Sequence, residues 1–327
     1  MTAEPFAVLA EAGVVLREYR GIEDVEGIQA VRVAVRRAEG DVWLPGPDGS
    51  DDPAATHPFC LVAADIENGG IIGFAWMHWW DEADGTRLYL LSGCVEPRWR
   101  RRGVGTSILR WQEEQATAFD RAGSSTAAFR VFGVNVALHQ AANLAMLTAQ
   151  GYGIAFTVVE MTCDLRTPPD GDTHPLPAGL VLRPVDPTHH PVIHEVIEEC
   201  FAGARDGYQA RTHEEYLRDV RDVGLWCVAW DGDEVAAVAV NELQPDGTAT
   251  TPWVAVRAPW RLRGVGHALM RHTLRALADR GVTLARLTTI QENPHNSVGL
   301  YERAGYTVID RQPRYRKPLP VPDPAAG

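Results

Sequence analysis

Seven consecutive residues occur twice in this chain of 327 residues with a single change: WRRRGVG at 99–105 and WRLRGVG at 260–266. The copies lie 161 residues apart, which is about the length of one domain. A repeat at this distance predicts two related domains in one chain and not one large fold.

The same order of predicted elements surrounds each copy. Each half opens with a short strand and an amphipathic helix, followed by two strands joined by a tight turn at 68–70 or 231–233. A third strand leads into the repeated stretch, and a helix, a strand, a helix that ends in Gly-Tyr and a last strand follow. The order β-α-β-β-β-α-β-α-β therefore occurs twice. The expected fold class is α/β, with a mixed α+β sheet in each of two tandem domains.

Composition indicates where the halves divide. Residues 166–179 are rich in Pro, Gly and Asp and show no hydrophobic period, as expected of an interdomain linker. We therefore expect an N-terminal domain at 1–165, a C-terminal domain at 180–317 and a disordered tail at 318–327.

Charge and cysteine content argue against several classes of protein. The net charge is −12 and the pI is about 5.4, so most of the surface repels nucleic acid. The five cysteines are scattered without a C-x-x-C pair, unlike a disulfide framework or a zinc site. No apolar run approaches 18 residues, and the first residues lack a signal-peptide pattern. We expect a cytoplasmic protein that binds neither nucleic acid nor membrane, as a monomer or weak homodimer.

Each repeated stretch is expected to form an anion-binding turn. A strand that leads through an Arg-rich turn into a helix brings unpaired backbone N–H groups and the positive end of the helix dipole to one point. Gly103 and Gly264 let the backbone approach an anion without a Cβ in the way, and the arginines add positive charge. A coenzyme diphosphate fits such a turn. The alternative is an ordinary helix start with solvated arginines, which is less favoured because two copies occur in matching contexts.

The two motifs resemble those of a known family. VEPRWRRRGVG in the first half and VRAPWRLRGVG in the second are similar to the acyl-CoA-binding motif V-x-P-x-x-[RQ]-x-x-G-x-G of the GNAT N-acetyltransferase superfamily. In the second copy Ala258 occupies the proline position and Pro259 follows one place later. Neither copy matches the dinucleotide pattern G-x-G-x-x-G or a Walker loop. The arrangement resembles the tandem GNAT proteins of actinomycetes, a group that includes mycothiol synthase and the acetyltransferase encoded with clavulanic acid biosynthesis.

The resemblance implies that each half binds acetyl-CoA or another acyl-CoA. The strand before each motif is expected to hydrogen-bond the pantetheine and the thioester, and the motif amides to hold the pyrophosphate. A separation between this strand and the next is expected to form the cleft. The residues assigned to the cofactor in this way are, in the first half, Cys94, Val95, Arg100, Arg101, Arg102, Gly103, Val104, Gly105 and Thr106, and, in the second half, Val254, Ala255, Val256, Arg261, Leu262, Arg263, Gly264, Val265, Gly266, His267, Asn293 and Asn296.

The same resemblance assigns the chemistry to the second half. In the family pattern N-x-x-[AS]-x-x-x-Y-x-x-x-G-[FY] the tyrosine protonates the departing CoA thiolate, and Tyr301 occupies that position in NPHNSVGLYERAGY. The family asparagine position falls on Pro294, between Asn293 and Asn296. In the first half Leu147 replaces the tyrosine, and seven extra residues separate the motif from the final glycine. We therefore expect a catalytic C-terminal domain and a structural, acetyl-CoA-binding N-terminal domain.

The general base is left open by the sequence. Glu242, near the end of a hydrophobic strand, is the first candidate, and His213 and Asp206 are further ones. An amine that arrives neutral needs no strong base. Tyr301 also has an alternative role, that of a core tyrosine on an amphipathic helix.

Two other groups of side chains have structural interpretations. His190 and His194 share a predicted helix face but lack the H-E-x-x-H order and a third ligand, so no metal is expected. Trp76, Trp79 and Trp80 are interpreted as core or domain-interface residues rather than as a wall for an aromatic substrate.

These patterns predict an acyl-CoA-dependent N-acetyltransferase. It would move an acetyl group from acetyl-CoA to the amine of a small molecule, such as a secondary metabolite in antibiotic biosynthesis, by direct attack in a ternary complex. One alternative is a non-catalytic acyl-CoA-binding sensor or scaffold. Another is acetylation of a protein N-terminus or lysine.

Overall fold

The computed structural model describes residues 7–40, 59–123, 127–166, 175–202 and 208–320. The chain divides into a first unit, with residues 1–81, 85–155 and 314–327, and a second unit, with residues 82–84 and 156–313. Most of the expected linker, at 167–174, and the expected tail beyond 320 lie outside the described residues. None of the described helices has the length and apolar character that a membrane span requires.

The first unit is a mixed sheet with helices on both faces. Its elements are β1 (Ala7–Leu9), β2 (Val14–Glu18), α1 (Ile22–Glu39), β3 (Cys60–Asp65), β4 (Ile71–Asp81), β5 (Thr86–Val95), α2 (Val104–Ala122), β6 (Phe129–Asn135) and α3 (Ala141–Ala149). Strands β1 to β5 pair antiparallel in chain order, and β6 pairs in parallel with β5. Successive residues of a strand point to opposite faces. On β4, Phe74 and Trp76 therefore pack with residues of α1, whereas Ala75 packs with residues of α2.

The second unit repeats this plan. Its elements are β7 (Gly153–Asp164), β8 (Leu180–Leu182), α4 (His190–Phe201), α5 (His213–Asp219), β9 (Cys227–Asp231), β10 (Glu234–Leu243), β11 (Ala249–Val256), α6 (Val265–Asp279), β12 (Leu284–Ile290), α7 (Ser297–Ala304) and β13 (Thr307–Pro318). Val238 and Val240 of β10 pack in the cluster that contains α4, whereas Ala237 and Ala239 pack in the cluster that contains α6. The α4 face and the α6 face of this sheet are the two sides on which the site is built.

The predicted fold class and order of elements are confirmed in both units, with β1 and α5 as additions. The limits expected at 165 and 317 are not those of the compact units. Residues 158–164 pair with β12 of the second unit, and residues 314–318 pair with β6 of the first. Each half therefore supplies the last strand of the other half's sheet. Because β6 and β12 are related by duplication, either last strand satisfies the same row of backbone hydrogen bonds, and local sequence does not choose between them.

The tryptophans that were interpreted as core or interface residues differ in their exposure. Trp76 is buried against Phe74, with ring centroids 5.5 Å apart. Trp79 is instead 42% exposed, and the Arg87 guanidinium lies 4.9 Å from its ring. The five cysteines are free thiols.

The exchanged strand β13 is attached to the first unit by Lys317, the single lysine of the chain. Its Nζ lies 2.7 Å from Oε2 of Glu113, and the Tyr152 hydroxyl donates to Oε1 of the same carboxylate at 2.9 Å. The two charged side chains are 24% and 17% exposed. Burial, followed by the charge of Glu113, raises the pKa of Tyr152, so its phenol remains a donor. One ion pair thus joins β13 to α2.

We expect Lys317→Met to lower the free energy of unfolding by about 1–3 kcal/mol, because it leaves the Glu113 carboxylate partly buried without its cation. Urea denaturation measures the change. The control is the double variant Glu113→Gln/Lys317→Met, whose loss should be smaller than the sum of the two single losses. Additive losses would show that the two side chains act independently.

Candidate functional site

Two parallel strands separate in the second unit. Strands β11 and β12 are paired only at Ala249–Ala285 and Thr250–Arg286, whereas β10 pairs with β11 as far as Val256. The β12-facing edge of β11 at 251–256 therefore presents peptide groups that the sheet does not use. Buried peptide groups require hydrogen-bond partners, and an extended ligand can supply them. The separation expected from the sequence is confirmed.

The first unit shows the same separation over a shorter length. Strands β5 and β6 remain paired from Thr86–Phe129 to Leu90–Gly133, so residues 91–95 are not paired with β6. A cavity of about 540 Å³ lies at this end of the strand. The residues expected to hold the cofactor that line it are Cys94, Val95, Arg100, Arg101, Gly103, Gly105 and Thr106.

A helix begins beside each separated pair of strands with its first amide groups uncapped. Helix α2 follows Gly103 and helix α6 follows Gly264, with φ of 82° and 83°, and no side chain caps either start. The first N–H groups of a helix have no partner within it, and the dipole adds partial positive charge there. Each start is therefore able to bind a diphosphate.

The two turns share a backbone that is strained at a second position. Arg101 and its counterpart Leu262 have φ of 63° and 59°, a region that side chains other than glycine rarely adopt. The Leu262 side chain is fully exposed, and Val104 and Val265 are buried at the helix starts. The same strain in both copies indicates that the turn geometry itself is required.

The first arginine of each motif holds the strand end to the turn. Nε of Arg100 donates to the Val95 carbonyl at 3.0 Å, and Nε of Arg261 donates to the Val256 carbonyl at 2.7 Å. The sequence assigned these arginines to the cofactor, and the structure adds this positioning contact. The exposed motif residues Arg101, Arg102 and Arg263 are left to supply charge at the surface.

The remaining contacts of these arginines differ between the units. Arg100 pairs with Glu39, which also accepts from Nε2 of Gln140 at 2.7 Å. Arg261 instead approaches Nε2 of His295 at 3.1 Å. Glu39 and Gln140 line the cavity of the first unit but were missed by sequence analysis, because they lie far from the motif along the chain.

Tyr301 lies in the apolar core on the α6 face of the second unit. Its side chain is 7% exposed, and its ring packs edge-on to Tyr306 with centroids 6.0 Å apart. Burial raises the pKa of its phenol. Within the part of the chain that the structure describes, its hydroxyl has no hydrogen-bond partner. Val254 and Val256 pack against the same cluster.

Leu147, at the corresponding place in the first unit, is fully buried. It has no proton to donate. The nearby Tyr152 hydroxyl is instead bound to Glu113. The two units therefore share the glycine turn before the helix, but only the second has a tyrosine hydroxyl at the position of Leu147.

The two asparagines expected at the cofactor shape the loop before α7. Oδ1 of Asn293 accepts the His295 N–H at 2.8 Å. Asn296 is the N-cap of α7, and its Oδ1 accepts the Gly299 N–H at 3.2 Å. Asparagine is preferred at such positions, a signal that was available in the sequence. Both side-chain oxygens therefore accept backbone hydrogen bonds that stabilise this loop and the start of α7.

Glu242 lies on β10, next to an irregularity that only the second unit has at this point. The register changes between Val240 and Glu242, which places an extra residue in β11, whereas β4 and β5 pair without a break. Bulges of this kind are frequent beside active sites. Alternation places Glu242 with Val240 on the α4 face, and no described residue forms a hydrogen bond or ion pair with its carboxylate.

The histidines of the second unit contact aromatic and backbone groups. His213 stacks on Tyr216 with centroids 5.7 Å apart, and Nδ1 of His190 lies 2.9 Å from the Tyr216 hydroxyl. Nε2 of His194 lies 2.9 Å from the Arg211 carbonyl. Asp206 falls outside the described residues. No group of His, Cys, Asp and Glu side chains that could hold a metal ion occurs in the described ranges.

Comparison with known proteins also finds two related domains, one in each half of the chain. The model of the acetyltransferase (GNAT) family matches twice, at 28–144 and at 191–306. No curated protein matches the sequence. A GCN5-related N-acetyltransferase from Sphaerobacter thermophilus is 23% identical, with a TM-score of 0.71 over 94% of this chain and 96% of that one. A tandem GNAT protein from the clavulanic acid biosynthesis pathway is 17% identical, with a TM-score of 0.61 over 95% and 99%.

At these identities the solved structures show a shared fold alone. The family matches carry more, because together they cover most of the chain and each contains a separated strand pair and an uncapped helix start. The chain therefore belongs to the acetyltransferase (GNAT) family and contains two copies of its domain in tandem.

Proposed function

We propose that this enzyme transfers an acetyl group from acetyl-CoA to the amine of a small molecule, and that the second unit carries out the transfer in a ternary complex. The observation that supports this most is the position of the buried Tyr301 phenol on the α6 face, where Val254 and Val256 of the separated strand also pack. The first unit has Leu147 in its place.

The coenzyme would lie along the free edge of β11. Its pantetheine arm would pair with peptide groups at 254–256, and its pyrophosphate would accept hydrogen bonds from the first amides of α6. Both groups of donors are present without a partner from the sheet or a capping side chain. An acyl-CoA therefore fits the residues that are there.

The reaction needs a neutral amine and a proton for the departing sulfur. The amine nitrogen forms a bond to the thioester carbonyl carbon, the carbon–sulfur bond breaks, and the amine gives up one proton. Tyr301 would donate the proton that the CoA sulfur takes. Because burial raises the pKa of its phenol, Tyr301 is protonated throughout the range below the ordinary tyrosine pKa of about 10.

Glu242 would accept the proton of the amine, directly or through a water molecule. It lies on the α4 face, opposite the face of Tyr301, so an acid and a base would act from the two sides of the sheet. It has no competing partner among the described residues, unlike His213, which is stacked on Tyr216. These differences favour Glu242.

We propose that the first unit holds acetyl-CoA as a structural ligand. Its turn has the same backbone as the turn of the second unit, and its cavity contains the expected binding residues. Leu147 occupies the position that corresponds to Tyr301, and it has no proton to donate. Binding without transfer is the expected behaviour.

We expect Tyr301→Phe to lower turnover about tenfold or more, since it removes the proton donor while keeping the ring. The measurement is release of free CoA thiol from acetyl-CoA with a panel of small amines. The matched control is Tyr306→Phe, which removes a hydroxyl from the same core, and acetyl-CoA affinity should be nearly unchanged in both. An unaltered rate in Tyr301→Phe would remove this residue from the mechanism. Absence of thiol release from the unaltered enzyme would instead favour a sensor or scaffold.

We expect Glu242→Gln to reduce kcat/KM about tenfold or more near neutral pH, because an amide cannot accept the proton. His213→Gln is the comparison, and its kcat/KM should be close to that of the unaltered enzyme. The reverse pattern would assign the base to His213. Equal activity in all three proteins would show that the amine arrives neutral and needs no base.

We expect Gly103→Val and Gly264→Val each to reduce the number of acetyl-CoA molecules bound per chain from two to one. A β-branched residue is strained at these positive φ angles, although each Cβ would meet open space. Native mass spectrometry counts the bound coenzyme. Only Gly264→Val should abolish turnover, and Gly232→Val, in the turn between β9 and β10, is the control for strain elsewhere. Two coenzymes on Gly103→Val would disprove binding at the first turn.

A further inference from the structure

An arginine lies over an aromatic surface on the α4 face of the second unit. The Arg211 guanidinium carbon is 4.6 Å from the centroid of Trp253. Phe201 and Tyr208 pack around the same indole, with centroids 5.3 and 5.7 Å from it. A cation–π contact of this kind attracts a guanidinium to the face of a ring and restricts its position. The Arg211 guanidinium is therefore held next to Trp253.

Two nitrogens of this guanidinium are enclosed and form no hydrogen bond of good geometry within the described ranges, although the charge of Arg211 acts on the neighbouring Tyr208 hydroxyl and works to lower its pKa. They are Nε and Nη2 of Arg211. The third nitrogen, Nη1, lies 3.4 Å from Asp219, whose carboxylate is 59% exposed and screened by solvent. Nε and Nη2 are the pair of parallel donors that matches the two oxygens of a carboxylate. Enclosed guanidinium donors without a partner are costly unless a ligand satisfies them.

The neighbouring carboxylate of Glu198 is already engaged. Its Oε1 accepts the Tyr208 hydroxyl at 2.6 Å and the backbone N–H of Arg211 at 3.3 Å, and Nε2 of His194 lies 3.4 Å away. Glu198 therefore holds the main chain at 208–211 and forms no hydrogen bond with the Arg211 guanidinium. The arginine is positioned by its backbone and by Trp253.

The location connects this arginine with the transfer site. Trp253 belongs to the stretch of β11 that is not paired with β12, next to Val254. Trp253 packs with the cluster on the α4 face, the face to which alternation assigns Glu242. A molecule on the aromatic surface would thus lie against the strand on which the thioester is proposed to sit.

We infer that Arg211 determines acceptor specificity by binding a carboxylate, and that the acceptor is a small amine carrying both a carboxylate and a flat apolar group that packs on the aromatic surface. This rests on the proposed function of the second unit. Arg211 pairs side-on with the carboxylate, and Phe201, Tyr208 and Trp253 contact the apolar group. The charge of Arg211 would select acids over their neutral analogues.

A binding experiment tests the inference without turnover. Isothermal titration compares indole-3-acetate with indole-3-acetamide on the full chain in the presence of CoA. The acid should bind about tenfold more tightly or better, the size of effect expected of a charge-assisted pair. Arg211→Gln should remove the preference. The control Arg183→Gln, which alters a guanidinium 5.3 Å from the Trp230 ring, should retain it.

Equal binding of acid and amide, binding of neither, or an unchanged preference in Arg211→Gln would overturn the inference. Thiol release with tryptophan and with tryptamine separates it from the proposed function. A preference for the acid in binding, without thiol release from any amine, supports Arg211 and contradicts the transferase. Thiol release with equal kcat/KM for tryptophan and tryptamine contradicts Arg211 alone.

Discussion

Peptide groups that the sheet leaves unpaired are the constraint on which both sites depend. Where β5 separates from β6 and β11 separates from β12, one edge of a buried strand keeps its donors and acceptors. A helix begins beside each edge with uncapped amides. A ligand that is extended at one end and anionic at the other satisfies both sets of groups, and acyl-CoA has that form. The strained turns are tolerated because each joins an unpaired strand edge to an uncapped helix start.

The two units keep this backbone arrangement and differ in the side chains around it. The second has a buried phenol, a carboxylate without a competing partner and a bulge in β11, whereas the first has a buried leucine and a carboxylate, Glu39, paired with the motif arginine. Duplication therefore preserved the backbone arrangement to which we assign coenzyme binding. The groups that could move protons are concentrated in one copy.

Exchange of the last strands makes each unit depend on both halves of the sequence. Strand β6 would present an unpaired edge without residues 314–318, and β12 would do so without residues 158–164. The ion pair of Lys317 with Glu113 joins β13 to the helix that begins at the glycine turn of the first unit.

Features carried by consecutive residues were predicted well from the sequence: two related domains, the glycine turns at 103 and 264, and the difference between Tyr301 and Leu147. They were predictable because left-handed turns and helix starts depend on short runs of residues. Tertiary structure decided which strand completes which sheet. It also decided that the motif arginines donate to the Val95 and Val256 carbonyls, and that Arg211 contacts Trp253. Those outcomes depend on packing between segments far apart in the chain, where many pairings satisfy the same local pattern and only the folded arrangement selects one.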